Sequence, residues 1–235
     1  MKHDHKLHAS PYPATLVFLG DYVDRGGASN QVIETLIELE GDPSIELMAL
    51  RGNHDQFLLD FLTQPLLGKA WINFGGSATL AAYGVPVPKT LSDDGAWLET
   101  CEQLARAIPP EHVAFLESTH YCATFGDYVF VHAGVRPGVE LRHQRPADLM
   151  SVREVFLATQ DAIPGRVVVF GHTPFQAPLV EEDKIGIDTG ACATGVLTAL
   201  SLFNDTRRFL QTIDTGSIWD VPEPILSPKD RPRRL

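Results

Sequence analysis

Four apolar runs punctuate the chain, and each stops at a short polar cluster. They are Leu16-Val17-Phe18-Leu19 before Gly20-Asp21, Leu47-Met48-Ala49-Leu50 before Arg51-Gly52-Asn53-His54-Asp55, Val129-Phe130-Val131 before His132-Ala133-Gly134, and Val167-Val168-Val169-Phe170 before Gly171-His172-Thr173. Apolar runs of this length, bounded by turn residues, read as buried strands. Helical spacing follows the first two. Val32, Ile33, Leu36, Ile37 and Leu39 form one set, with Ser29 or Asn30 as cap and Gly41 as stop; Phe57, Leu58, Phe61 and Leu62 form the next. This strand–helix–strand–helix order predicts an α/β fold.

From Gln64 to about Pro110 the pattern loosens, with Gly75-Gly76, Gly84 and several prolines as turn signals. One helix is predicted there, over about 95–107, and the stretch reads as an insertion or lid. A short helix is predicted over 111–118, then a hairpin of 120–125 and 128–131 across Gly126-Asp127. A helix is predicted over 147–158. Strands follow at 167–170, 184–188, 196–203 and 207–213. The chain thus divides into a domain over 11–219 and a proline-rich tail over 220–235.

The sequence has 235 residues, 44% of them hydrophobic and 21% charged, as in soluble globular proteins. Its formal net charge of −11 argues against a nucleic-acid or anionic-membrane surface. A small anionic substrate held by local arginines remains compatible. Three sparse cysteines, Cys101, Cys122 and Cys192, fit a reducing cytoplasm, and no apolar stretch is long enough for a membrane span.

The polar clusters carry oxygen and nitrogen donors suited to a divalent cation. In Gly20-Asp21-Tyr22-Val23-Asp24-Arg25-Gly26, Asp21 comes first after the strand and can ligate. Asp24 can orient a histidine, and Arg25 offers a fork for phosphate oxygens. Asn53 offers an amide oxygen. Its neighbour His54 suits proton donation to a leaving oxygen, while Asn53 or Asp55 can also cap the following helix. His132 and His172 each follow a strand and read as ligands. Arg153, on the 147–158 helix, is a phosphate-clamp candidate; Arg136 reads rather as a surface charge. The histidine-rich start (His3, His5, His8) reads as a loose terminus.

Together these strings resemble the calcineurin-like metallophosphoesterases, and more narrowly their phosphoprotein phosphatase branch, with bacterial serine/threonine phosphatases and diadenosine tetraphosphatases. Gly75-Gly76 with Thr79-Leu80 and Tyr83-Gly84, and Ile187-Asp188-Thr189-Gly190-Ala191, agree with it. The resemblance implies two packed β-sheets flanked by helices, with Mn, Fe or Zn as cofactor. Asp21 would bridge two metal ions, and Asn53, His132 and His172 would complete the second ion's shell. His54, oriented by Asp24, would protonate the leaving group, and Arg25 and Arg153 would hold the phosphate. A metal-bound hydroxide would attack phosphorus in line.

The family's Gly-Asp-x-His-Gly string, which precedes the Asp21 cluster and holds the first ion, is missing from the twenty residues before Asp21. The expectation is therefore a fold without its first strand and helix, with one ion instead of two and impaired activity. A phosphorylated protein is the first expected substrate. The alternatives are a dinucleoside polyphosphate, its adenine held by Trp71, Phe74 or Tyr83, and a phosphate- or partner-binding module without turnover.

Overall fold

The computed structural model describes residues 14–204, 206–212 and, as backbone, 218–221. The histidines of the N-terminus and positions 222–235 of the expected tail lie outside them. The chain is mixed α/β, as expected, and its strands form sheets of two, five and three strands. It divides into two compact units, one ending at His120 and the other containing Tyr121 onward.

In the first unit, β1 (Ala14–Phe18) and β2 (Ile45–Ala49) pair in parallel, Ala14 opposite Ile45 and Phe18 opposite Ala49. Parallel neighbours need a crossover, and α1 (Ser29–Glu40) supplies it, burying Ser29, Ile33 and Leu36 on one stripe. Ser29 lies inside this helix and does not cap it; the cap position is Ala28. Gly41 stops the helix without a left-handed turn, at φ −75°. The chain turns at Asp42-Pro43-Ser44, where the Asp42 carboxylate accepts from the Ser44 amide and hydroxyl. Because β1 and β2 end level, the Gly20-Asp21 and Gly52-Asn53 loops leave the sheet side by side.

After α2 (Asn53–Thr63), the stretch 64–110 is a run of short helical turns followed by one longer helix. It holds α3 (Gly68–Trp71), α4 (Gly76–Ala82) and α5 (Asp94–Ala107), with 3-10 turns at Pro65–Leu67 and Ile72–Phe74. Trp71, Leu80, Trp97 and Leu104 from this stretch share one core with Val23, Ile33, Leu58 and Phe61. The Phe61 ring touches both indoles, at 5.0 and 6.1 Å between centroids. The apolar residues are spread over turns too short for a visible period, which is why the sequence pattern looked loose. Last comes α6 (Pro110–Ser118). Buried Arg51 donates to the Leu116 and Glu117 carbonyls and to Thr119 Oγ1, strapping the end of α6 to the loop before α2.

The second unit opens with the expected hairpin, β3 (Cys122–Phe125) against β4 (Tyr128–Val131). α7 (Pro146–Ser151) and α8 (Glu154–Ala158) lead to β5 (Val167–Phe170), followed by β6 (Leu179–Val180) and β7 (Lys184–Gly186). The sheet order is β3-β4-β5-β7-β6, with β4, β5 and β7 parallel. Val129, Val131, Phe156, Val168 and Phe170 form its core. α9 (Ala191–Thr194) precedes the antiparallel set β8 (Thr198–Phe203), β9 (Thr206–Thr212) and β10 (Ile218–Val221). Asp220 and Val221, placed by the sequence pattern in the tail, pair with Leu210 and Phe209 of β9.

The single predicted helix over 147–158 is two helices. Helix continuation would need the Arg153 amide to reach the Leu149 carbonyl, but that oxygen accepts from the Ala133 amide at 2.8 Å. Arg153 therefore sits at the break, at φ −132° and ψ −89°, and not on a helix face.

Candidate functional site

In the first unit the two loops touch through their backbones. A Cβ on Gly20 (φ +96°) would meet the Gly52 nitrogen at 2.4 Å, and one on Gly52 would meet Asp21 Oδ1 at 2.1 Å. Only glycine permits that approach at either position. The fully buried Asp55 carboxylate then pins the loops together. It accepts the amides of Asp21, Tyr22 and Gly52, each at 2.8 Å. Burial first, and then the charge of Asp21, push the Asp55 carboxyl up to about 7, against the pull of those three amides. Gly52 takes the cap position and Asn53 is the helix's first residue, so Asn53 does not cap α2; Asp55, in the first turn, does so as a capping box by accepting the Gly52 amide. The His54 amide donates to Asp21 Oδ1 at 3.1 Å. The Asp21 side chain keeps 26% of its surface accessible.

Asp21, Asp24 and Arg25 all adopt left-handed backbone, at φ 61°, 74° and 62°. Such residues persist where surrounding contacts over-determine them. Here the Asp24 amide donates to Thr79 Oγ1 at 2.8 Å, and the Arg25 amide donates to the Gly75 carbonyl at 3.2 Å.

The buried Asp24 carboxylate accepts from Thr79 Oγ1 at 2.6 Å and from Trp71 Nε1 at 2.9 and 3.1 Å. It also lies 2.6 Å from His54 Nδ1. A carboxylate is acceptor-only, so it holds the tautomer with the proton on Nδ1. Nε2 is left as the nitrogen that can exchange a proton, 4.0 Å from Asp21 Oδ2.

Trp71 and Thr79 are the residues the sequence reading missed in this role. Thr79 lies in the Gly75–Gly84 string that carries part of the family resemblance, so the sequence holds a signal for it. Trp71 is not an adenine-pocket residue; its indole is buried and donates to Asp24. Tyr83 is half-buried and bonds His112 Nδ1 at 2.9 Å. Arg25 is exposed, and among the described residues its guanidinium makes no ion pair. Gly75 (φ +108°) lies against it, since a Cβ there would fall 2.7 Å from Arg25 Cγ.

In the second unit, His132 and His172 follow the parallel neighbours β4 and β5, so both emerge at the same end of the sheet. His172 is left-handed, at φ 62°. His132 Nε2 and His172 Nδ1 lie 3.2 Å apart. Two imidazole nitrogens on one tetrahedral ion, with bonds of about 2.0–2.1 Å, stand roughly 3.3 Å apart, so the pair fits a shared cation. The buried Thr173 hydroxyl beside them has no protein partner among the described residues. Arg153 is exposed, its guanidinium 3.5 Å from the His172 carbonyl. Arg136 is not a phosphate clamp; with Arg145 it grips Asp148 in two-pronged contacts of 2.7–3.2 Å.

A family model described as calcineurin-like phosphoesterase matches residues 4–181. The chain is 27% identical over 206 residues to asymmetrical bis(5'-nucleosyl)-tetraphosphatase PrpE of Anoxybacillus flavithermus, covering 81% of this chain and 76% of that one. It is 28% identical over 211 residues to the protein of that name from Bacillus cereus, covering 83% and 78%. A crystal structure provisionally described as a diadenosine tetraphosphatase superposes at TM-score 0.52 with 18% identity, covering 94% of this chain and 86% of the other, a likeness of fold.

Proposed function

The chain belongs to the calcineurin-like phosphoesterase family and is a hydrolase of phosphoric esters, and from that premise we propose that its substrate is a dinucleoside polyphosphate. The observation that carries the substrate class is the alignment along four-fifths of the chain with relatives named for nucleosyl tetraphosphates. The phosphoprotein expected first from the sequence becomes the second reading. We assign residues 11–221 to one catalytic domain, two residues past the expected end at 219 because β10 runs to Val221.

In this reading Asp21 and Asn53 of the first unit, and His132 and His172 of the second, hold a divalent cation of the Mn, Fe or Zn class. The donor set suits it: one carboxylate, one amide oxygen, and two imidazole nitrogens at ligand spacing. When bound, the cation supplies water activation and offsets phosphoryl charge. The protein's own groups do the rest. Protonated at both ring nitrogens, His54 gives its Nε2 proton to the leaving oxygen and is left as the neutral ring, whose Nδ1 proton stays hydrogen-bonded to Asp24. Arg25 and Arg153, both exposed, take phosphate oxygens.

Turnover of diadenosine tetraphosphate and of a phosphothreonine peptide, each with Mn present, separates the readings. The expected result is a kcat/KM for the dinucleotide at least about tenfold the higher. The reverse order restores the phosphoprotein reading. Tight phosphate binding without turnover of either supports the binding-module alternative.

A further inference from the structure

Phe74 is the most exposed aromatic side chain among the described residues, at 46%. A single exposed apolar residue needs no explanation. What singles this one out is what stands behind and beside it. Its ring lies nearly parallel to Phe57, with centroids 5.3 Å apart and planes at 21°. One face is therefore covered and the ring is held flat. Phe57 is three residues beyond His54 on α2, on the same side of that helix. Phe74 immediately precedes Gly75, whose carbonyl accepts the Arg25 amide and whose missing side chain leaves room for Arg25 Cγ. An exposed, pre-oriented aromatic ring is thus carried by the residue next to the glycine that packs against Arg25.

A planar ring one residue from the glycine that packs on an exposed arginine matches a ligand that is itself planar at one end and anionic at the other. We propose that Phe74, backed by Phe57, is the stacking platform for the base of a nucleotide whose phosphate is held at Arg25. A phosphorylated serine or threonine carries no planar group to use such a platform. Phe57 fixes the ring before the ligand arrives, so little side-chain freedom is lost on binding. The assignment rests on the dinucleotide reading above and adds the residues that recognise the base.

Calorimetric titration of the full chain with AMP and with ribose 5-phosphate tests this, because the two probes share the phosphate and differ in the base. The wild type is expected to bind AMP about tenfold more tightly, the worth of one base–aromatic stack. F74A is expected to bring the two affinities together, and F74W to keep them apart. Phe74 is exposed, and an unchanged thermal midpoint checks that the variants fold. The proposal is overturned if AMP has no advantage in the wild type, or keeps it in F74A. It is equally overturned if F74A weakens a phosphothreonine peptide and not AMP. Hydrolysis of p-nitrophenyl phosphate is read in parallel. Its absence in the wild type would count against the hydrolase reading, while the AMP to ribose 5-phosphate ratio still decides the role of the ring.

Discussion

Asp24 shows how one buried carboxylate converts a common residue pair into a device. A histidine on a loop samples both tautomers, but His54 faces an acceptor that is itself held by the Trp71 indole and the Thr79 hydroxyl. Removing an outer partner of this kind typically costs ten- to a hundredfold in function. His54→Asn is expected to lower kcat by about 10²–10⁴, the usual worth of a general acid. Thr79→Val is expected to lose about tenfold, and more with an alkyl than with a p-nitrophenyl leaving group, since a good leaving group needs little protonation. Equal losses on both leaving groups would mean that Thr79 serves the fold and not the proposed proton donor. The Asp24–His54 pair was legible in the sequence because its members sit in two compact strings. Its support was not, because Trp71 and Thr79 lie in the stretch where helical spacing disappears.

Among the elements, α7 and α8 carry the clearest lesson about local pattern against tertiary competition. The apolar spacing over 147–158 is helical throughout, yet the Ala133 amide takes the Leu149 carbonyl and breaks the helix at Arg153. At the start of α7, Asp148 is gripped by the Arg136 and Arg145 guanidinium groups, which hold its carboxyl well below its ordinary value of 3.8. The folded state therefore binds this proton more weakly than the unfolded chain does. The contribution is complete above the ordinary value and fades as pH falls toward the depressed one. Asp148→Asn is expected to cost about 1 kcal/mol at pH 7, a modest figure because both arginines are largely exposed. The deficit should shrink below about pH 4, where the wild type loses its own advantage. Urea midpoints at pH 7 and pH 3 measure both terms; a deficit that persists unchanged at pH 3 would show that packing, not charge, is at stake.

For the whole molecule, a net charge of −11 argues against a broad polyanion surface, and in the proposed reading recognition of an anionic substrate falls to Arg25, Arg153 and the cation. None of the described helices is long and apolar enough to cross a membrane. If the cation is held by Asp21, Asn53, His132 and His172 together, binding should stabilise the folded chain, by about 2.7 kcal/mol at a hundredfold excess over Kd. Mn or Zn should then raise the thermal midpoint of the wild type. Asp21→Asn and His132→Ala should each abolish the rise. A rise that survives Asp21→Asn would confine the ion to the histidine pair.

Much of this protein is written in its linear pattern. The strands that end in Asp21, Asn53, His132 and His172 are recognisable from apolar runs bounded by glycine, because a buried strand must be apolar along its length and its loop must turn at once. The α/β order and the ligand types follow from the same strings. The tertiary structure decided what depends on partners distant along the chain: that Asp55 pins two loops, that Trp71 is buried against Asp24, that Leu80, Trp97 and Leu104 join the core, and that Arg153 marks a helix break. Each outcome is a contest for a hydrogen-bonding group or a packing space, and such contests are settled only when the competing atoms are in place.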